Sequence, residues 1–330
     1  MSGMLIVTPN PAVDHTVRLE CLKPGDVIRT GPGVSVAGGK GGNVTRAARL
    51  LGGDPSVLAF VPEIGGKHLQ TLYAAEGFDL ISVPVAGRVR TCTAMIEADG
   101  RVTLLNEPGA PVTDADWTRL MATMRGPAGA AASDGLIICS GSLPPGAPAD
   151  GYAQIVGHGH THGCDVIVDA SREALAHSLR AGADLVCPNV SEAEAAISSM
   201  TLPAGATGAA PSAEPVHDDG DDVPERAAAA AVELLLLGAT WAVVTAGAAG
   251  AAVAGPDYRA WLASPTVTVR NPIGAGDSFL AGVATARTAG RSWPDAIRRG
   301  LAAGSASVEQ DAAGVVDPAR VDELEQAIGR

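Results

Sequence analysis

From Leu5 to Thr245, short apolar runs alternate with stretches of helical periodicity, and few folds are open to a chain patterned this way. Leu5–Thr8, Val57–Val61, Gly135–Cys139, Asp165–Asp169, Asp184–Cys187 and Trp241–Thr245 read as strands. Asn43–Leu51, Gly65–Glu76, Asp114–Arg125, Arg172–Leu179 and Glu225–Leu237 read as helices. Such alternation builds βαβ units, so the expectation is an α/β fold with a mostly parallel central sheet flanked by helices. Beyond Gly274 the pattern is almost wholly helical, over Asp277–Ala289, Trp293–Gln310 and Pro318–Ile328. Hydrophobic residues make up 46% of the 330 residues but aromatics only 3%, so the core must be built from Ala, Val, Leu and Ile. One domain over residues 1–330 is expected.

Two stretches depart from the alternation. Residues 13–36 and 88–106 carry period-2 patterning, and Ala98-Asp99-Gly100 supplies a hairpin turn within the second. Together they are expected to form a small separate sheet, a lid. Its apolar face would need a ligand or a second subunit, which points to a homodimer through the lid. Residues 201–225, rich in Ala, Pro, Gly and Asp, read as a flexible insertion, with Asp218, Asp219, Asp221 and Asp222 as a solvated charge run. His158, His160 and His162, interrupted by glycines, read as a polar loop rather than a metal site.

A net charge of −13 weighs against nucleic acid as a partner. Cys21, Cys92, Cys139, Cys164 and Cys187 form neither a CxxC nor a Cys/His pattern, which suits free thiols in a reducing compartment. The amino terminus lacks the features of a signal peptide, and no apolar run reaches the ~20 residues that span a bilayer. A cytoplasmic protein without a membrane partner is expected.

The sharpest local feature is Asn271-Pro272-Ile273-Gly274-Ala275-Gly276-Asp277-Ser278-Phe279, followed by a helical pattern. Glycines straddling an alanine at a helix start let backbone N–H groups converge on an anion, and the helix dipole adds positive potential. An acid immediately after that turn lies within reach of whatever the turn holds. Phosphoryl transfer to an alcohol needs those two parts, donors for the developing charge and a carboxylate for the hydroxyl proton. Upstream, Ala37-Gly38-Gly39-Lys40-Gly41-Gly42-Asn43 forms a second Gly-rich turn that offers close backbone approach, a cation and an amide. It is not a Walker A loop.

AGGKGGN and NPIGAGDSF, with SGSLPPG (Ser140–Gly146), PNVSE (Pro188–Glu192) and VVTAGAAG (Val243–Gly250) in order between them, resemble the PfkB, or ribokinase-like, carbohydrate kinases. The resemblance spans nearly the whole chain. TPNPAVD (Thr8–Asp14) is similar to the start of the branch containing 1-phosphofructokinase and tagatose-6-phosphate kinase. The resemblance implies an α/β domain with a β lid over the sugar, often used for dimerisation. It also implies ATP and Mg²⁺, with a monovalent cation such as K⁺ left open. By position, Asp277 would be the base, and Gly274, Ala275 and Gly276 the anion hole. Asp14, Gly38, Gly39, Asn43 and Ser140 would hold the sugar. Asn189 and Glu192 would organise the magnesium–phosphate end of ATP through water, while Thr245, Gly247 and Gly250 line the nucleotide pocket. The plainer alternative for Asn189 and Glu192 is helix capping.

A sugar phosphate needs cations at its phosphate end, and the candidates are Arg29, Arg90 and Lys40, with Arg88 and Arg46 as weaker alternatives. They favour a ketohexose phosphate without choosing among fructose 1-phosphate, tagatose 6-phosphate and fructose 6-phosphate; the resemblance to the 1-phosphofructokinase branch puts fructose 1-phosphate, going to fructose 1,6-bisphosphate, first. The same fold acting on an unphosphorylated sugar or nucleoside is an alternative, and a non-catalytic sugar-phosphate sensor is the rival from another class. One departure stands out: Cys187 precedes Pro188-Asn189 where several relatives carry Lys, which bears on nucleotide affinity and donor choice.

Overall fold

The computed structural model describes residues 3–126, 135–201 and 222–328. Most of the expected 201–225 insertion, including Asp218, Asp219 and Asp221, lies outside the described residues.

A nine-stranded sheet forms the centre. Its strands are β1 (Met4–Val7), β4 (Pro55–Ile64), β5 (Asp79–Arg88), β8 (Leu136–Ser140), β9 (Asp165–Asp169), β10 (Leu185–Val186), β11 (Trp241–Thr245), β12 (Gly250–Gly255) and β13 (Tyr258–Ala263). They run in the order β13-β12-β11-β10-β9-β8-β1-β4-β5. All pairings from β11 to β5 are parallel, and the β11–β12–β13 meander closes one edge antiparallel.

Both faces of this sheet are covered, as parallel strands require. In β1, Leu5 and Val7 pack into one core while Met4 and Ile6 pack into the other. The first core meets α3 (Asp114–Arg125), α4 (Gly151–Thr161), α5 (Arg172–Arg180), α6 (Val190–Thr201) and α7 (Val223–Leu236). The second meets α1 (Gly39–Leu50), α8 (Ala275–Thr288), α9 (Trp293–Ser307) and α10 (Pro318–Ala327). Alanine dominates the α8–α9 contact, and Gly282 and Gly300 bring the two backbones so close that a Cβ on either would overlap the other helix. An aromatic-poor sequence reaches a dry core this way, through small residues at close spacing.

The second sheet has the order β3-β2-β6-β7, from β2 (Ala12–Leu19), β3 (Val34–Gly38), β6 (Arg90–Glu97) and β7 (Val102–Asn106). It joins the two period-2 stretches through the parallel β2–β6 pair, with Asp14 opposite Cys92. α2 (Gly66–Ala75) fills the angle between the sheets with Leu69 and Tyr73.

Three local expectations are corrected. α1 begins at Gly39 rather than Asn43, so Lys40 sits in its first turn and Asn43 opens its second; glycine is required because a Cβ on Gly41 would strike Thr8 and one on Gly42 the Ala37 carbonyl. The histidine run is the carboxyl end of α4, not a loop, since Gly159 lets that helix press onto Val166, and His160 Nε2 lies 3.0 Å from an Asp184 carboxylate oxygen. β5 was not expected as a strand; its Pro84 is admissible because β5 is an edge strand.

Candidate active site

The cleft opens at the carboxyl ends of β8 to β11, where an open α/β sheet presents its loops to a ligand. The small sheet faces it from above, and the space between is about 940 Å³, within the range of small-molecule sites. Arg18 of β2 donates from Nη2 to the Asp311 carbonyl at 3.2 Å, tying the lid to the segment before α10.

Asp277 is the third residue of α8, and its side chain is buried on the floor of the cleft. Gly274 caps that helix in a left-handed conformation (φ 81°), where a Cβ would stand 2.9 Å from the Gly314 nitrogen. Around a Cβ placed on Gly276, by contrast, nothing lies within 4 Å. The leading N–H groups of a helix have no partner within it, so the start of α8 offers donors and positive potential to that open space.

Burial pushes the Asp277 carboxyl up to about 7; Lys40 opposes the rise, Asp169 and Asp14 add to it, and a hydrogen bond from Asn43 restrains it. That bond runs from Asn43 Nδ2 to Asp277 Oδ2 at 2.8 Å. Lys40 Nζ lies 3.1 Å from Asp169 Oδ1. Burial would lower the Lys40 pKa, but Asp169, Glu192 and Asp277 together hold it above the usual lysine range. Asp14 Oδ1 accepts the Gly39 N–H at 3.0 Å. Burial raises the Asp14 carboxyl, opposed by that bond and by Arg46 and Arg90. Arg90 donates to the Asn10 carbonyl from Nη2 at 2.6 Å and from Nε at 3.2 Å, which aims its guanidinium along the cleft wall.

At the opposite end, Asn189 and Glu192 cap α6 reciprocally. The Glu192 N–H donates to Asn189 Oδ1 at 2.8 Å, and the Asn189 N–H to Glu192 Oε2 at 3.0 Å. The plainer alternative is therefore realised, yet both residues also line the cleft, as does Thr245. Capping occupies one Glu192 oxygen from the backbone side. Mg²⁺ held with nucleotide phosphates requires only one or two protein carboxylates, so this donor set fits it. Among the described residues there is no cluster of three or more His, Cys, Asp or Glu that would make a separate metal cage.

Six sequence candidates fall outside the cleft walls. Gly38 is buried behind them, its lack of a side chain dictated by Asp14, whose Cγ would lie 2.2 Å from a Cβ. Ser140 is wholly buried with no partner for its hydroxyl, while Gly141 and Ser142 take its place at the cleft. Arg29 is exposed between β2 and β3. Gly247 starts a short turn, and Gly250 is confined by the Leu262 carbonyl. Arg88 lies beside a second hollow with His15 and His68. Asp169 and Arg18 are among the cleft residues that went unnoticed in the sequence. Asp169 ends a strand that was anticipated, and carboxyl ends of parallel strands are where site residues collect. Arg18 stands four residues after Asp14 on the same strand face. Cys187 is buried at the cleft edge, and burial raises its thiol well above the usual range.

Fold and cleft together assign the chain to the ribokinase-like, ATP-dependent sugar kinases, in which a detached sheet roofs the site. Within them, it belongs to the pfkB family of carbohydrate kinases, whose family model matches residues 7–320. A 1-phosphofructokinase of Haloferax volcanii is 33% identical over 299 residues, covering 90% of this chain and 88% of the relative. The ATP-dependent 6-phosphofructokinase isozyme 2 of Mycobacterium tuberculosis is 29% identical over 305 residues, covering 92% and 83%. Among solved structures, phosphofructokinase-2 of Escherichia coli in complex with potassium aligns with a TM-score of 0.85 at 25% identity, covering 99% of both chains. The chain is thus a phosphofructokinase-type sugar-phosphate kinase, and its family implies ATP with Mg²⁺. Among the described residues no helix is long and apolar enough to cross a membrane.

Proposed function

We propose that the chain transfers the γ-phosphoryl group of ATP to a ketohexose monophosphate, converting fructose 1-phosphate to fructose 1,6-bisphosphate, with Asp277 as the general base. The observation that carries this reading is the Asp277 carboxyl, buried beside the start of α8 and raised to about 7. A base poised there is strong enough to take a hydroxyl proton and still substantially ionised near neutrality. The acceptor oxygen gives its proton to Asp277 as it bonds to the γ-phosphorus. The bond from that phosphorus to the β–γ bridging oxygen breaks, and ADP leaves with its electron pair.

The N–H groups at Gly274, Ala275 and Gly276 receive the charge on the transferring oxygens. Asp14, Gly39 and Asn43 hold the sugar. Arg90 and Lys40 meet its phosphate; Arg29 stands exposed on the lid connection between β2 and β3. Asn189 and Glu192 hold Mg²⁺ through water at the nucleotide end, where the ion neutralises phosphate charge. Thr245 borders the nucleotide. Escherichia coli phosphofructokinase-2 has been solved with potassium, so K⁺ belongs in the test. A second reading, 6-phosphofructokinase activity, draws support from the same enzyme, whose complex with fructose-6-phosphate aligns at a TM-score of 0.83 and 25% identity over 100% of both chains.

The test is ADP release with Mg-ATP, with and without K⁺, over fructose 1-phosphate, fructose 6-phosphate, tagatose 6-phosphate, fructose and ribose. The highest kcat/KM is expected with fructose 1-phosphate. Preference for fructose 6-phosphate selects the second reading, and preference for a free sugar overturns both. Binding of a sugar phosphate without turnover would make the chain a sensor. Asp277→Asn should lower kcat by roughly 10²–10⁴-fold while keeping sugar-phosphate binding; retained turnover would remove Asp277 from the base role.

A further inference from the structure

Arg46 lies one helical turn after Asn43 in α1 and is one of the few charged side chains that the fold buries. All five of its N–H donors are occupied inside the protein. Nε donates to Glu76 Oε2 at 2.6 Å, and Nη2 donates to Glu76 Oε1 at 2.9 Å and to the Ala37 carbonyl at 2.8 Å. Nη1 donates to the Ala313 carbonyl at 3.0 Å and to Asn43 Oδ1 at 2.9 Å. Nothing remains for a substrate phosphate, so the weaker role the sequence left open for this arginine is closed.

What those bonds do follows from donor chemistry. A guanidinium only donates, so the Asn43 amide must turn its oxygen toward Arg46. Its NH₂ then faces Asp277 Oδ2, a group that accepts when ionised. A free asparagine could present either end, and its oxygen toward a carboxylate would set two acceptors against each other. Glu76 grips the guanidinium as a bidentate pair, which fixes the plane of the fork. The Asn43 backbone is itself closely held, since a Cβ on Gly314 would stand 2.7 Å from its main-chain carbonyl oxygen.

We propose that Arg46, seated on Glu76, is a positioning residue that locks the Asn43 amide with its NH₂ toward Asp277 and so holds that carboxylate in one orientation. The inference rests on the base role given to Asp277 above.

Arg46→Lys tests it, because lysine keeps the charge but cannot serve Glu76, Asn43, Ala313 and Ala37 together. With the fold verified by circular dichroism and Tm, kcat should fall roughly ten- to a hundredfold, with the KM for ATP within about threefold of wild type. The Asn43 bond restrains the Asp277 carboxyl, so loosening it should move the ascending limb of kcat/KM upward by about half a pH unit. The Asp277 carboxyl band, isolated by infrared difference against Asp277→Asn, should titrate higher by the same amount. Glu76→Gln should shift both readouts in the same direction by less, and it decides the matter if Arg46→Lys does not fold. A folded variant with unmoved carboxyl titration and unchanged kcat overturns the relay. An Asp277→Asn protein that still turns over overturns the base assignment instead, and the infrared titration still judges Arg46.

Discussion

A carboxyl buried as deeply as that of Asp277 works against the fold whenever it is charged, and this effect can be measured apart from catalysis. Its pKa rises from the ordinary 3.8 to about 7 on folding, so between those values the folded state holds a proton that the unfolded chain has released. Stability from this group is therefore full below the window, falls as pH rises through it, and is lowest above 7. Asp277→Asn removes the cost. Its Tm should exceed that of wild type at pH 8, equivalent to roughly 2–4 kcal/mol, and the two curves should converge near pH 4. Parallel Tm–pH curves would mean that the carboxyl is not held up by burial. At this scale the sequence was informative where residues cluster in motifs: Lys40, Asn43 and Asp277 reach one cleft from their own short segments. It was silent where meaning comes from a partner. That Lys40 faces Asp169, or that Arg46 serves Asn43 rather than a ligand, depends on contacts across the fold that no local spacing encodes.

Among the elements, α8 separates two uses of glycine within its opening turn. Gly274 is needed for the backbone, being left-handed and closed in by Gly314 and Ala313. Gly276 is needed for the empty space above it. Gly274→Ala should therefore destabilise the protein by roughly 1–3 kcal/mol and lower activity with it. Gly276→Ala should melt like wild type yet lose turnover, because its methyl group occupies the room for the transferring phosphoryl group. Thermal melts and kcat of both variants check this; a Gly276→Ala enzyme with full kcat would place the phosphoryl group elsewhere. Elements with strong periodicity were legible, β9, β11 and α3 to the residue. Two of those that were missed lack the signal. β12 is a run of glycine, alanine and one valine, and α4 hides its buried Tyr152, Ile155 and Val156 among glycines and histidines.

For the molecule as a whole, the unsettled surface is the lid. On the side turned away from the cleft, the lid leaves Leu105 exposed at 58%, and the loop between β2 and β3 adds exposed Val27, apolar surface that suits a second copy of the chain. Sedimentation should find a dimer in the wild type and a monomer in Leu105→Glu; a wild-type monomer at micromolar concentration would leave that apolar face for another use. The two-sheet plan was legible because its patterning changes period twice, whereas the angle at which the lid meets the cleft was not. Finally, the hydrogen bond joining Asn43 to Asp277 spans 234 positions of chain. At translation speeds of roughly 5–20 residues per second, α1 precedes α8 out of the ribosome by roughly 10–50 s. By the later part of that interval the lid strands, Lys40 and Asp169 have all been synthesised, while Asp277 has not. On the base role proposed for Asp277, a nascent chain would complete much of its cleft wall and yet be unable to spend ATP until its last quarter had emerged.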